Sequence, residues 1–395
     1  AQLIEMPDGR GGTNRLGVLD LPSFYATVDL PGDNGDLSEK STTADVKRLI
    51  KKLEQENVNG LILDLRNNGG GSLEEAVNFT GLFVTNGPVV LVRSPEGHVV
   101  VDQDTSTSAL YRGPLVVLVN RFSASATEIV AGALQDYGRA LLVGDTSTYG
   151  KGTVQNLNPL RPFIWSADDS ASNDPGTVKI TIRKFYRISG ASTQLKGVTP
   201  DIVLPDDLNA LTDIGESSLP NAMPWDIIPK ADYQPVNQVE PYRSELRKLS
   251  DARVATNQDF IYIRQDIDEF RKQQAEKAVS LNEQEELHQA ERNALRQKAR
   301  DTERAQRKAP DEKIYEITLE DVNKRGLPPL GTNTVDYAKS GEAQIDETAR
   351  LDETEHILED YVSLMKTNET RPIIASHSDE PADAKSYVPD VQKVR

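Results

Sequence analysis

The chain has 395 residues, with 62 acidic and 45 basic side chains, no cysteine and a formal net charge of −17. That length is two to three times a typical domain, so at least two domains are expected, each able to bury a core. The acidic balance argues against nucleic acid or anionic lipid as the main partner, because nothing would neutralise phosphates. The missing thiols exclude disulfides, thiolate metal sites and a cysteine nucleophile.

Residues 1–15 open without a charged leader region, an apolar run or an initial Met, and read as a connecting segment at the end of an upstream region. Residues 16–210 carry short β-branched runs at Gly60–Leu65, Pro88–Val92, Leu115–Val119, Leu141–Val143 and Val178–Arg183. Helical patterns at Ala44–Glu56, Ser72–Phe83 and Ala126–Tyr137 alternate with them, which predicts an α/β core with mostly parallel strands. None of the apolar runs approaches the roughly 20 residues that cross a bilayer, so no transmembrane segment is expected.

Apolar residues are 37% of the chain and aromatics 6%, low enough to expect a polar, solvent-facing part. It begins after residue 210. Prolines at 220, 224, 229, 235 and 241 predict a linker or irregular wrap over 211–241. Tyr242–Ala309 contains neither Gly nor Pro and has sparse apolar positions, so 242–370 is expected to be a mainly α-helical C-terminal domain. It would be a solvated helix pair propped against the core, or a surface for a partner. Residues 371–395 read as a polar, disordered tail.

Four histidines are present, three of them in the polar half, and their spacing suggests no metal site and no Ser-His-Asp triad. The informative stretch follows the run at Leu115–Val119. Ser125 and Glu128 fit an S-x-x-E capping box, in which the serine satisfies an orphan amide. Equally, a serine at a helix N-terminus can act as a nucleophile, with free amides and the positive dipole end beside it. A nucleophilic serine needs a base, and Lys151, between Gly150 and Gly152, is the candidate. An apolar setting would favour its neutral amine. Gln155, four residues on, shares its face and can hydrogen-bond it. Alone, Gly-Lys-Gly also fits an exposed turn. The third element, Leu63-Asp-Leu-Arg-Asn-Asn-Gly-Gly-Gly-Ser72, is a strand-to-helix turn with Ser72 as a helix cap. Its amides could hold a phosphate, although the Walker lysine is missing, or an oxyanion.

The ordered motifs D-L-R-N-N-G-G-G at 64–71, R-F-S-A-S-A-T-E at 121–128, Q-D-Y-G-R-A at 135–140, Y-G-K-G-T-V-Q at 149–155 and K-G-V-T-P-D-I at 196–202 resemble the C-terminal processing peptidases of family S41, also called tail-specific proteases. The long periplasmic type of Gram-negative bacteria fits best. This resemblance implies a crotonase/ClpP-like protease core with no metal or cofactor. It implies Ser125 as nucleophile, Lys151 as general base and Gln155 as its support. Gly70, Gly71 and Ala126 take oxyanion-hole positions, and Glu128, Asp136 and Thr148 supporting ones. Thr127 departs from the usual serine. The implied substrates are proteins with unstructured apolar C-termini, in the periplasm or at the inner-membrane face, with a lipoprotein adaptor as a further partner. Such proteins carry a PDZ domain ahead of the core, and residues 1–15 are too short to be one. Two other readings stand beside this one: a scaffolding fragment whose helical half docks a partner, and a crotonase-like acyl-CoA enzyme.

Overall fold

The computed structural model describes residues 1–7, 11–27, 40–163, 175–211, 213–276, 280–308, 311–330 and 342–369. Strands β1 (Gln2–Pro7) and β2 (Thr13–Asp20) lead through helix α1 (Thr42–Gln55) to β3 (Gly60–Asp64). Helix α2 (Leu73–Thr80), strands β4 (Gly87–Arg93), β5 (Val99–Asp104) and β6 (Leu115–Val119), helix α3 (Ala126–Asp136) and β7 (Leu141–Gly144) follow. Strands β8 (Thr153–Pro159), β9 (Thr177–Tyr186) and β10 (Ile202–Val203) end the first half. The second half holds α4 (Arg243–Thr256), α5 (Gln258–Glu276), α6 (Glu283–Ala305), β11 (Lys313–Glu316) and α7 (Glu342–Glu369).

Seven strands form one sheet in the order β10-β7-β6-β3-β2-β1-β11. Pairing is parallel from β10 to β2 and antiparallel at β1 and β11. Residues on its strands alternate between two cores. Leu61, Leu63, Leu115, Val117 and Leu142 pack with α1, α2 and α3 through Ile50, Leu53, Phe79, Val130 and Leu134. Ile62, Val116, Leu118, Leu141 and Val143 pack on the opposite face with Leu246, Phe260, Ile263, Leu358 and Tyr361 of α4, α5 and α7. A strand buried on both faces has to be apolar nearly throughout: β6 is, and β3 is apart from Asp64 at its end, which pairs with Arg66 at 2.6 Å. A second sheet, β5-β4-β9-β8, is antiparallel.

Two expectations change. Residues 1–15 are not a connector: Leu3, Ile4 and Met6 are buried, and β1 lies inside the sheet between β2 and β11. The alternation there is short and its sheet partner β11 lies some three hundred residues away, so a local reading misses it. Residues 242–370 are mainly helical, as expected, but they are not propped alongside the core. They supply β11, and α4, α5 and α7 form the layer that covers the sheet's second face. Only α6 is largely solvated, with Leu287 57% and Leu295 68% exposed. Of the two alternatives for 211–241, a linker or an irregular wrap, the structure has the wrap: a strap hydrogen-bonded along the core, for example Arg121 Nη2 to the Ile214 carbonyl at 2.6 Å and Ala231 N to the Ile188 carbonyl at 2.9 Å. The tail over 371–395 lies outside the described residues. Among those described, no helix is long and apolar enough to cross a membrane.

Candidate active site

The site lies at the C-terminal ends of the parallel strands, where β3 and β6 each turn into a helix. Ser125 precedes α3 with φ +59° and ψ −115°, unlike the extended caps Ser41 (φ −139°) and Ser72 (φ −65°). A non-glycine residue at positive φ is a strained placement that its surroundings must impose. Two turns impose it. Asn68, buried in the 65–71 turn, accepts Ala124 N–H and the Thr127 hydroxyl on its carbonyl, both at 2.9 Å. Its side chain donates to the Leu21 carbonyl at 2.8 Å and accepts Gly70 N–H at 2.9 Å. Thr127 therefore does what its hydroxyl allows: it ties the helix start to the glycine turn.

Gly70 has φ +101°, and a Cβ placed there would stand 2.8 Å from Ser125 Cβ and 2.9 Å from Ala126 N. The glycine turn thus presses on the serine. Gly70 N–H already has an acceptor in Asn68, so its contribution is the missing side chain. Among the described residues the amides of Gly71 and Ala126 have no acceptor, the latter because first-turn amides of a helix lack partners.

Glu128 is the hub that the capping-box reading hides. It is fully buried. One carboxylate oxygen accepts Ser125 N–H at 2.8 Å and Lys151 N–H at 2.9 Å. The other accepts the Thr148 hydroxyl at 2.6 Å and Gly150 N–H at 2.7 Å. A single side chain thereby fastens the backbone of the serine to that of the lysine. Burial pushes its carboxyl up to about 7, while those four donors pull the other way. Thr148 is itself fixed by Val198 N–H, which donates to its hydroxyl at 2.8 Å.

Lys151 precedes β8. Its Nζ donates to Gln155 Oε1 at 3.1 Å, on the shared face that the spacing predicts. Burial first, and then the nearby Lys179, lower its ammonium below the usual lysine value; Glu216 and Glu128 oppose this. Gln194, which sequence reasoning missed, accepts Gly152 N–H at 2.8 Å and donates to Glu216 at 3.1 Å, bracing the turn from behind. No motif signals Gln194 in advance, and Asn68, although it stands in the motif at 64–71, carries no local sign of its bonds to Leu21, Ala124 and Thr127. Asp136 sits at the far end of α3, about 15 Å from Ser125 at 1.5 Å per residue. It pairs with Arg187 at 2.5 Å and accepts the Ser189 hydroxyl at 3.1 Å, so it anchors the helix rather than the serine. His98 lies in the exposed turn between β4 and β5, remote from this site.

Comparison with known proteins gives the family. Residues 15–204 match peptidase family S41, and residues 210–363 match the C-terminal domain of tail specific protease. The chain belongs to the S41 peptidases, among the members that carry that C-terminal domain. It is similar to the tail-specific protease of Haemophilus influenzae, 40% identical over 270 residues, 68% of this chain and 36% of that protein. It is similar also to the carboxy-terminal-processing protease of Bartonella bacilliformis, 38% identical over 166 residues, 42% of this chain and 35% of that protein. A solved photosystem II D1 C-terminal processing protease is 31% identical and covers 52% of this chain and 47% of its own, with a TM-score of 0.39. The match thus spans about a third of the length of these curated relatives.

Proposed function

We propose that this chain is a serine endopeptidase with a Ser125–Lys151 dyad, which trims or degrades proteins from an unstructured, apolar C-terminus in the periplasm. The observation that carries it is the shared Glu128 oxygen on the amides of Ser125 and Lys151. That contact keeps a strained serine and a lysine with a lowered pKa in fixed relation across two elements.

The chemistry runs as acyl transfer. Neutral Lys151 donates one hydrogen to Gln155 and keeps its lone pair for the proton of Ser125. Ser125 Oγ attacks the peptide carbonyl as that proton moves to Nζ. The negative charge on the carbonyl oxygen is met by the Gly71 and Ala126 amides and by the N-terminal end of α3. Collapse expels the amine, which takes the proton back from Lys151, and leaves an ester on Ser125. Water, deprotonated by the same lysine, then attacks the ester; as the bond to Ser125 Oγ breaks, Lys151 returns the proton to Oγ, and the new C-terminal carboxyl group leaves. Asn68, Thr127 and Glu128 hold the geometry. The substrate class, the compartment and delivery by a lipoprotein adaptor rest on the resemblance to tail-specific proteases.

The test is incubation of a disordered protein ending in small apolar residues with this chain and with Ser125→Ala, followed by mass spectrometry of the products. Cleavage by the first and none by the second is expected. Equal cleavage by both would remove Ser125 as the nucleophile. Absence of cleavage by either would leave the helical half as a docking module.

A further inference from the structure

Beside Lys151 lies a cavity of about 270 Å³ with walls from two distant parts of the chain. Lys151, Thr153, Gln155 and Thr181 form the sheet side, and Glu216 with residues 219–223 forms the other. This second wall is apolar where it is open. Leu219 is 46% and Met223 40% exposed, and both line the cavity, with Pro220 and Ala222 between them.

The wall is a strap held at both ends. At one end, Glu216 N–H donates to the Tyr149 carbonyl at 2.9 Å and Glu216 Oε1 accepts from Gln194. At the other, Trp225 Nε1 donates to the Ser192 carbonyl at 2.8 Å, and Lys196 Nζ stands 3.6 Å from the centre of the indole ring. Asp226 then pairs with Lys184 at 2.6 Å. Pro220 and Pro224 restrict the span between these anchors. Two long apolar side chains are therefore presented from a fixed backbone, next to the candidate base.

We infer that this strap forms the subsite for the substrate side chain next to the scissile bond, and that it selects an uncharged aliphatic one. The inference rests on the dyad reading above. A charged side chain would lose water against Leu219 and Met223, and Glu216, the acid on that wall, is already engaged by Gln194 at 3.1 Å. A cationic one would also meet Lys151. An anionic one would pair with Lys151 and hold it protonated, against its role as base. Methionine's flexible thioether fits several aliphatic shapes, so the subsite excludes charge more sharply than it discriminates size. The strap lies within the part that matches the tail-specific-protease C-terminal domain, outside the peptidase match. Selection at the bond is thus supplied by the second unit.

The experiment uses the full chain and fluorescent peptides of Gly and Ser with one central Leu, Ala, Lys or Glu. Wild type is expected to cleave next to Leu at least about tenfold faster, in kcat/KM, than next to Lys or Glu, the scale of one apolar subsite contact. Met223→Glu and Leu219→Asp are expected to erase that preference and raise relative cleavage at Lys. Their melting temperatures should stay near wild type, because both side chains are exposed. Unchanged preference in both variants, with cleavage intact, overturns the strap inference and leaves the dyad standing. If no peptide is cleaved, fluorescence anisotropy of the same peptides on Ser125→Ala decides. Leu-selective binding lost in Met223→Glu supports the subsite without the chemistry, and binding indifferent to the central residue refutes it.

Discussion

Replacing Glu128 by glutamine isolates the group that joins serine to lysine. The carboxylate accepts four donors at 2.6–2.9 Å. An amide has one oxygen, so at best it keeps two of them, and its NH₂ faces the other two. Each buried donor left without an acceptor costs about 1–3 kcal/mol, which gives about 2–6 kcal/mol in all. Losing the buried charge offsets part of this, and a net destabilisation of about 2–4 kcal/mol is expected. Either orientation of the amide releases at least one group of residues 148–151. A shift of about 1 Å between lysine and serine lowers catalysis about a hundredfold. Urea unfolding and peptide hydrolysis on the same preparations measure both, with Ser125→Ala as a control that loses activity and retains stability. The reasoning is refuted if Glu128→Gln unfolds at the wild-type urea midpoint and keeps activity within about threefold of wild type, well short of that hundredfold loss. Protonation should act like a mild version of the substitution. Wild-type activity is expected to fall as pH drops through about 7, since a carboxyl hydrogen would point at an amide donor, and this limb should vanish in the glutamine variant.

Lys151 must be neutral to act, so activity should rise with pH to a midpoint below that of an ordinary lysine. Because Lys179 lowers and Glu216 raises its pKa, Lys179→Gln should move that midpoint up and Glu216→Gln should move it down in a pH–rate profile. Gly70→Ala should abolish hydrolysis, because the new Cβ meets Ser125 Cβ and the Ala124 carbonyl at 2.8 Å while φ stays at +101°; wild-type activity in that variant would remove the close approach from the argument. Leu358→Ala, in a fully buried α7 side chain packed on Gly60, should lower unfolding stability by about 2–5 kcal/mol. A change under about 0.5 kcal/mol in chemical denaturation would mean that α7 is not part of the core.

Much of the first half could be read in advance. The runs at 60–65 and 115–119 are buried on both faces of a parallel sheet, so they are apolar apart from Asp64 and bounded by turn residues. Helices α1, α2 and α3 carry apolar stripes and serine caps. Ser125 stands at a strand-to-helix junction, and Lys151 and Gln155, four residues apart, are hydrogen-bonded. By local pattern Glu128 was legible as a cap, and as a supporting residue through the resemblance alone, since a sequence pattern registers the local amide at Ser125 and cannot register those of Gly150 and Lys151. Likewise α7 reads as a polar helix because its apolar residues Ile345, Ile357, Leu358, Tyr361 and Val362 are diluted by acids. That they bury the sheet's second face depends on tertiary placement. The β1–β11 pairing joins residues too far apart for any local signal.

That pairing has a consequence for synthesis. Leu3 of β1 lies opposite Tyr315, and Ile317 N–H bonds the Ala1 carbonyl at 2.8 Å, so the sheet is closed at one edge by some of the last strand residues made. Contacts of such long sequence separation form late, and α7, which roofs the second face, is made later still. A ribosome adding about 5–20 residues per second would expose the serine and lysine long before their scaffold could be completed. This architecture is therefore expected to delay competence until α7 emerges, and a protein truncated ahead of α7 should be an inert, aggregation-prone precursor rather than a smaller protease.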